Sequence, residues 1–141
     1  FMTMAGIALG AFLFATMGRM PTLLVGAIVA AASNLLFADL AAGAPYIDAF
    51  ARLLGLDAFE PDLRMTRLMI AISGENIAGG LAGAAYVAYL SSITSREFSA
   101  VQYALLSSLT FLIGSLGRAA VGEAIDEIGY APVFLWTALI G

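Results

Sequence analysis

The sequence has no cysteine and no histidine, and only 11% of its 141 residues are charged. Without these two residue types, the chain alone offers no disulfide, no thiolate metal site, no zinc centre and no Ser-His-Asp triad. Hydrophobic residues make up 62% of the chain. Because soluble domains are about half apolar and about a quarter charged, this composition argues against a soluble enzyme and predicts that lipid is the solvent.

The chain has few charges and no basic run. Six cations, all arginine, stand against ten carboxylates, which gives a formal net charge of −4. A nucleic-acid partner would be expected to show a basic patch or run, and this chain has none. We therefore expect no nucleic-acid partner, no metal and no cofactor, and no phosphate-binding glycine loop follows a strand to supply an ATP-driven engine.

Long apolar runs dominate the chain. A helix needs roughly 20 mostly apolar residues to cross about 30 Å of hydrocarbon. The runs are too long for strands, and we predict an all-α membrane protein with about four complete spans and a truncated fifth. Both ends fall in apolar stretches, so we expect a fragment of a longer polytopic protein. The predicted spans are Phe1–Met17, Thr22–Ala44, Leu68–Ile93, Ala100–Val121 and a segment from Ala131.

Residues 45–67 form the longest polar stretch and are predicted to lie outside the membrane. Apolar residues recur there at helical spacing opposite Asp48 and Arg52, which favours a short amphipathic helix in the membrane interface. An irregular loop is the alternative. Glu60 and Asp62 are expected at the start of the next helix, where the helix dipole favours acidic residues. Two further stretches, residues 18–21 and 122–130, are predicted to be tight connections.

Glu75 is the main candidate for function. It lies about seven residues, or ~10 Å, into the third predicted span, where an ionisable side chain is costly unless it faces protein or water. At about 100° per residue it shares a face with Gly79, Ala82, Tyr86 and Tyr89. Such a face is typical of a polar cavity wall, and burial would raise the pKa of the carboxyl towards neutral pH. The alternative is a carboxylate near the membrane edge that snorkels or pairs with an arginine.

Small and polar residues on the third and fourth predicted spans have two interpretations each. Gly79, Gly80 and Gly83 favour close helix packing, with a flexible gating helix as the alternative. Arg118 is expected at the same membrane face as Glu75, and its structural pairing with Glu75, or with Asp126 or Glu127 in the following loop, is favoured over binding of an anionic substrate. The fourth span also has a polar stripe, for which helix packing remains an equal alternative. The stripe consists of Tyr103, Ser107, Thr110, Gly114 and Gly117.

The chain contains the strings SNLLF at 33–37, ENIAGG at 75–80, GAAYVAYL at 83–90, SAVQYALLSSL at 99–109 and SLGR at 115–118. Together these strings resemble one family, the AmpG-type muropeptide permeases of the major facilitator superfamily, whose wider group includes acetyl-CoA carriers. The similarity covers most of the chain and is most specific between Glu75 and Leu109.

This resemblance implies part of the C-terminal bundle of a two-bundle transporter, with an N-terminal half outside this chain. It implies a bacterial inner-membrane protein that imports anhydro-muropeptides with the proton gradient during cell-wall recycling. Glu75 would be the proton-coupling group. The expected cavity residues are Asn76, Tyr86, Tyr89, Gln102, Tyr103 and Arg118.

Two other functions remain open from the sequence. One is a related carrier of a different solute, such as a CoA ester. The other is a membrane-embedded enzyme or a non-transporting sensor or structural subunit. We favour transport over an enzyme because nothing besides Glu75 and Arg118 offers catalytic groups that could converge on one face.

Overall fold

A computed structural model describes residues 1–60, 62–93 and 99–140. Six α-helices account for most of this part of the chain, and a single 3₁₀ turn over Leu56–Ala58 lies between the third and the fourth. The all-α architecture predicted from the apolar runs is confirmed. The helices are α1 (Met2–Met17), α2 (Arg19–Ala41), α3 (Pro45–Leu53), α4 (Arg64–Ile93), α5 (Ser99–Ile128) and α6 (Tyr130–Ile140).

Three helices, α2, α4 and α5, are long and apolar enough to cross a membrane, whereas α1 and α6 are shorter apolar helices. This makes the chain a multi-pass membrane protein. The prediction of four complete spans is not confirmed, because α1, the first of the four, has only 16 residues.

Helix α4 is the centre of the packed part. Gly6 and Gly10 of α1 lie directly against the α4 backbone at Ile77 and Leu81, while Gly80 of α4 lies against the α1 backbone at Thr3. On the neighbouring side of α4, Gly26 of α2 faces Ala82. These small residues let the helix axes approach closely, as in other membrane helix pairs. The core is therefore built mainly from backbone contacts with small side chains.

The contacts also give the helix directions. Higher α1 numbers face higher α4 numbers, whereas Gly26 of α2 faces Ala82 and Leu36 of α2 faces Gly74. Helices α1 and α2 are thus antiparallel, as the tight turn predicted. The turn is shorter than expected, because only Gly18 separates the two helices and the following residues already belong to α2. Gly18 has φ 80, which favours glycine.

Helix α3 connects the ends of α2 and α4. The Asp39 carboxylate accepts hydrogen bonds from the backbone N–H groups of Tyr46 (3.2 Å) and Ile47 (2.9 Å), so it caps the first turn of α3. Ile47 and Ala51 are buried. Residues 45–53 therefore form a helix rather than an irregular loop, and its location in the membrane interface stays a prediction.

The two C-terminal helices differ in packing. Phe134 of α6 stacks on Phe37 of α2, with ring centroids 5.5 Å apart, and Val133 is buried. In contrast, none of the described side chains of α5 is buried. The predicted connection over residues 122–130 is wrong, because α5 continues to Ile128 and only Gly129 separates it from α6. Gly122 is tolerated inside α5, and the charged residues after it continue the helical turn.

Candidate functional site

Glu75 lies on an exposed part of α4. Since α4 begins at Arg64 rather than Leu68, Glu75 is eleven residues, or about 17 Å, from the start of the helix. That is deeper than the sequence analysis placed it. Among the residues that the structure describes, no arginine lies within 4 Å of the Glu75 carboxylate. The ion pair found within that distance joins Arg67 to Asp48 instead.

The face of α4 around Glu75 is open. Within the described part of the chain, Gly79 and Gly83 have no neighbouring atom within 4 Å of the position that a Cβ would occupy, and both are exposed. Of the three glycines predicted to pack, only Gly80 does so. The packing interpretation is confirmed for Gly80 and stays a prediction for Gly79 and Gly83, because α1 and α2 occupy other sides of α4. Ala82, which was grouped with Glu75, faces Gly26 of α2 instead.

Tyr86 links this open face to α5. Its phenol oxygen lies 2.5 Å from Oγ1 of Thr110, and Thr110 Oγ1 is also 3.0 Å from the Leu106 carbonyl oxygen. A threonine hydroxyl has one proton. When that proton is donated to Leu106, Tyr86 must donate to Thr110, and its own lone pairs stay free to accept. The polar stripe of α5 therefore meets the Tyr86 side of α4.

Asn76 lies on a different side of α4 from this link. Its Oδ1 accepts a hydrogen bond from Thr3 of α1 (2.8 Å), and its Nδ2 donates to the Ile72 carbonyl oxygen (2.7 Å). The amide is thus used to join α1 to α4. This geometry assigns Asn76 a helix-packing contact and does not bring it to Glu75.

The remaining predicted cavity residues lie on α4 and α5. Tyr89, Gln102 and Tyr103 are half-buried, whereas Arg118 is exposed. Among the described residues, Arg118 has no carboxylate within 4 Å, so the favoured structural pairing with Glu75, Asp126 or Glu127 does not form. The last two belong to α5 itself rather than to a following loop.

The Tyr86–Thr110 contact gives a reference point for comparing the depths of Glu75 and Arg118 along their helices. The short connection between α4 and α5 favours an antiparallel pair. Counting away from the contact, Glu75 lies about 17 Å along α4 and Arg118 about 12 Å along α5. The two charges are therefore at similar depths. Gly114 and Gly117, like Gly79 and Gly83, have open space around them.

Two acidic residues outside the spans have clear structural roles. Glu60 accepts hydrogen bonds from the backbone N–H groups of Met65 and Thr66 and from the Thr66 hydroxyl, and these contacts lower the pKa of its carboxyl. Glu60 therefore caps the start of α4 from four residues before the helix, whereas the first turn itself contains no acidic residue. Asp48 is held by Arg67 through two hydrogen bonds of 2.6 and 2.7 Å, which lower the pKa of the Asp48 carboxyl.

Sequence reasoning missed two of these contacts. Asp39 was not identified as a cap, because it lies six residues before Pro45 and not at the N-cap position directly before the helix. Thr110 was placed in a polar stripe, and nothing in its spacing identified Tyr86 as its partner. Within the described parts of the chain, no cluster of three acidic residues is close enough to hold a metal ion.

Comparison with known proteins gives several relatives of one kind. A Rickettsia bellii protein named AmpG 1 is 31% identical over 124 residues, which cover 88% of this chain and 30% of that protein. A Rickettsia prowazekii protein of the same name is 37% identical over 73 residues, covering 52% of this chain and 16% of the relative. The anhydromuropeptide permease of Escherichia coli K12 is 31% identical over 80 residues, covering 54% and 16%.

This chain thus spans less than a third of the length of these relatives. No family model matches it. No solved structure matches it either. These relatives are nevertheless all named either AmpG or anhydromuropeptide permease. One of them aligns with most of the chain. The chain belongs to the AmpG-type transporter family.

Proposed function

We propose that this chain is a segment of the C-terminal bundle of a proton-coupled transporter that imports anhydro-muropeptides across the bacterial inner membrane. The E. coli relative is named as an anhydromuropeptide permease, which supports this substrate class. The observation that carries the proposal is the position of Glu75, exposed on the open side of an apolar 30-residue helix. An ionisable residue inside a span is expensive and by default marks a pathway.

In this proposal the open face of α4 lines the solute pathway. Gly79 and Gly83 keep the surface beside Glu75 free of side chains, so a solute or water can approach the helix closely. The phenol of Tyr86 remains able to accept a hydrogen bond from a sugar hydroxyl. The exposed guanidinium of Arg118, which has no carboxylate partner among the described residues, suits a peptide carboxylate.

Glu75 would couple this pathway to protons. In a bundle that rocks around a midplane site, the carboxyl takes up a proton on one side of the membrane and releases it on the other. Protonation neutralises the carboxylate. This lowers the free-energy cost of the rocking step, in which the site is closed off from water on both sides of the membrane. The major-facilitator arrangement, with a second bundle opposite, is the architecture in which such rocking takes place.

The test is uptake of radiolabelled anhydro-muropeptide by membrane vesicles that contain the full-length transporter, with and without an imposed proton gradient. We expect gradient-dependent uptake that a protonophore abolishes. Glu75→Gln keeps the size of the side chain and removes its titration, so we expect normal insertion and a loss of gradient-driven accumulation. Glu127→Gln, at an exposed carboxylate near the end of α5, is the matched control and should leave uptake unchanged.

Full accumulation by inserted Glu75→Gln would contradict the role of this carboxyl while leaving the transport proposal intact. No uptake by the inserted wild-type protein would contradict the muropeptide substrate. Competition by CoA esters, measured in the same vesicles, then tests the other cargo suggested by the family resemblance.

A further inference from the structure

Helix α3 has three distinct faces. Ile47 and Ala51, which are 2% and 0% exposed, anchor one face to the bundle. Asp48 and Arg52 form a polar face. Between these lies a third face of large apolar side chains that the described part of the chain leaves uncovered. It consists of Tyr46, Phe50 and Leu53, which are 81%, 49% and 81% exposed.

Two sets of polar contacts fix the rotation of α3. At its start, the Asp39 carboxylate holds the Tyr46 and Ile47 backbone N–H groups. On its polar face, Asp48 is bound by both the Nε and the Nη2 of Arg67 at the beginning of α4. The helix therefore cannot turn its third face towards the bundle without breaking these bonds. The outward position of Tyr46 and Phe50 is built into the fold.

A groove of about 690 Å³ adjoins this face. Its walls come mainly from α2, α3 and α6, with Ile70 of α4 and Ala42 completing them, and are almost wholly apolar. The one acidic residue in the lining is Asp39, whose carboxylate oxygens are both occupied by the backbone of α3. The groove thus offers hydrocarbon and few polar partners to a ligand. Its lining includes Leu35, Leu36, Tyr46, Phe50, Ala131 and Leu135.

We propose that this groove and the uncovered face of α3 bind the acyl chains of membrane phospholipid, with α3 lying at the headgroup boundary. The location supports lipid as the occupant. Helix α2 crosses the membrane and ends at Ala41, so α3 begins where the chain leaves the hydrocarbon. An aromatic and aliphatic face beside a face with Asp48 and Arg52 fits that boundary, where one side of the helix meets acyl chains and the other meets water.

Tryptophan fluorescence in the full-length protein tests this proposal. Phe50→Trp and Tyr46→Trp are made separately in a background without other tryptophans, with Trp136→Phe among the replacements, and reconstituted into phosphatidylcholine vesicles. The matched control is Arg52→Trp, because Arg52 is exposed and lies on the polar face, about 160° around the helix from Phe50. Quenching is measured with acyl-brominated phosphatidylcholine and with aqueous acrylamide.

We expect tryptophan at positions 46 and 50 to emit at shorter wavelength than at position 52, to lose intensity in brominated lipid and to resist acrylamide. Tryptophan at position 52 should show stronger acrylamide quenching. Acrylamide quenching at position 50 equal to that at position 52 would overturn the proposal, because the face would then be in water. Resistance of positions 46 and 50 to both quenchers would also overturn it, since another protein segment would cover the face.

Discussion

The two sides of α4 use the same residue type for opposite purposes. On the side that meets α1 and α2, Gly80 lies against the backbone at Thr3, and the helices touch with almost no side chains between them. On the other side, Gly79 and Gly83 face open space beside Glu75. Gly79 and Gly80 are thus neighbours in the sequence, but Gly80 lies on a packed surface and Gly79 on an exposed one.

This difference shows that small residues in a membrane helix do not identify an interface by themselves. What separates the two sides is the presence of a complementary surface. Gly6 and Gly10 of α1 and Gly26 of α2 supply it on the packed side. On the open side, α5 approaches through the Tyr86–Thr110 hydrogen bond, and none of its described side chains is buried.

The largest difference in stability is expected from one change made on each side of α4. In Gly80→Ala the new methyl group overlaps the Thr3 carbonyl, so the helices must separate, at a cost of about 1–3 kcal/mol. In Gly83→Ala the methyl group meets nothing, and the higher helix propensity of alanine adds up to about 1 kcal/mol. Unfolding of the two full-length variants in a mixed-micelle denaturation series measures both effects.

Opposite signs for these two variants are the expected result. Equal destabilisation would show that a further segment packs on Gly83 as closely as α1 packs on Gly80, and the contrast between the two sides would be lost.

A smaller effect is expected at Asp48, on the packed side. Arg67 lowers the pKa of the Asp48 carboxyl, so the ionised form is the one that stabilises the fold. The contribution is therefore fully present above the unfolded pKa of about 3.9 and is lost as the pH falls through the lower folded pKa. Asp48→Asn should weaken the protection of α3 amides in hydrogen exchange at neutral pH.

The difference between Asp48→Asn and wild type should begin to shrink as the pH falls below about 3.9, where the carboxyl of the unfolded chain takes up a proton, and should be lost below the lower folded pKa, where the folded carboxyl is protonated as well. Asp57→Asn, at an exposed aspartate in the neighbouring 3₁₀ turn, is the control and should behave as wild type throughout. A difference that persists unchanged in acid would exclude the ion pair as its cause.

The smallest effect is expected on the open side, at Thr110. Thr110→Val keeps the shape of the side chain and removes the acceptor for Tyr86, and such bonds between membrane helices contribute about 0.6 kcal/mol on average. The free energy of unfolding should hardly change, while the distribution of distances between α4 and α5 should become broader. Distances between spin labels at positions 83 and 114 measure that spacing. Thr137→Val, whose hydroxyl bonds within α6, should leave the distance distribution unchanged.

Much of the helical architecture follows from the sequence. The apolar runs predicted α2 and α4 within a few residues, and the amphipathic pattern at Tyr46–Leu54 predicted α3. The boundaries failed where local signals were weak. Gly122 and the charged residues after it resembled a turn, but an isolated glycine costs a helix only about 1 kcal/mol. Helix α5 therefore continues to Ile128.

The candidate site was less predictable because periodicity groups residues by face and does not say which face is covered. It placed Glu75 and Tyr86 together correctly on α4, but it also added Ala82, which packs on α2. Asn76 was assigned to the cavity, but its side-chain oxygen accepts a hydrogen bond from the hydroxyl of Thr3, which lies more than seventy positions earlier. Contacts between residues so far apart in sequence have no local signature.

The most direct test of the proposed pathway is thiol labelling of the open face of α4 in the full-length transporter, freed of other cysteines. Gly79→Cys and Gly83→Cys should react in vesicles with a small, membrane-impermeant maleimide, because both positions face open space. Anhydro-muropeptide should slow this reaction, while an unrelated sugar should not. Absence of labelling in inserted protein, or labelling that anhydro-muropeptide leaves unchanged, would contradict the account that this face lines the solute pathway.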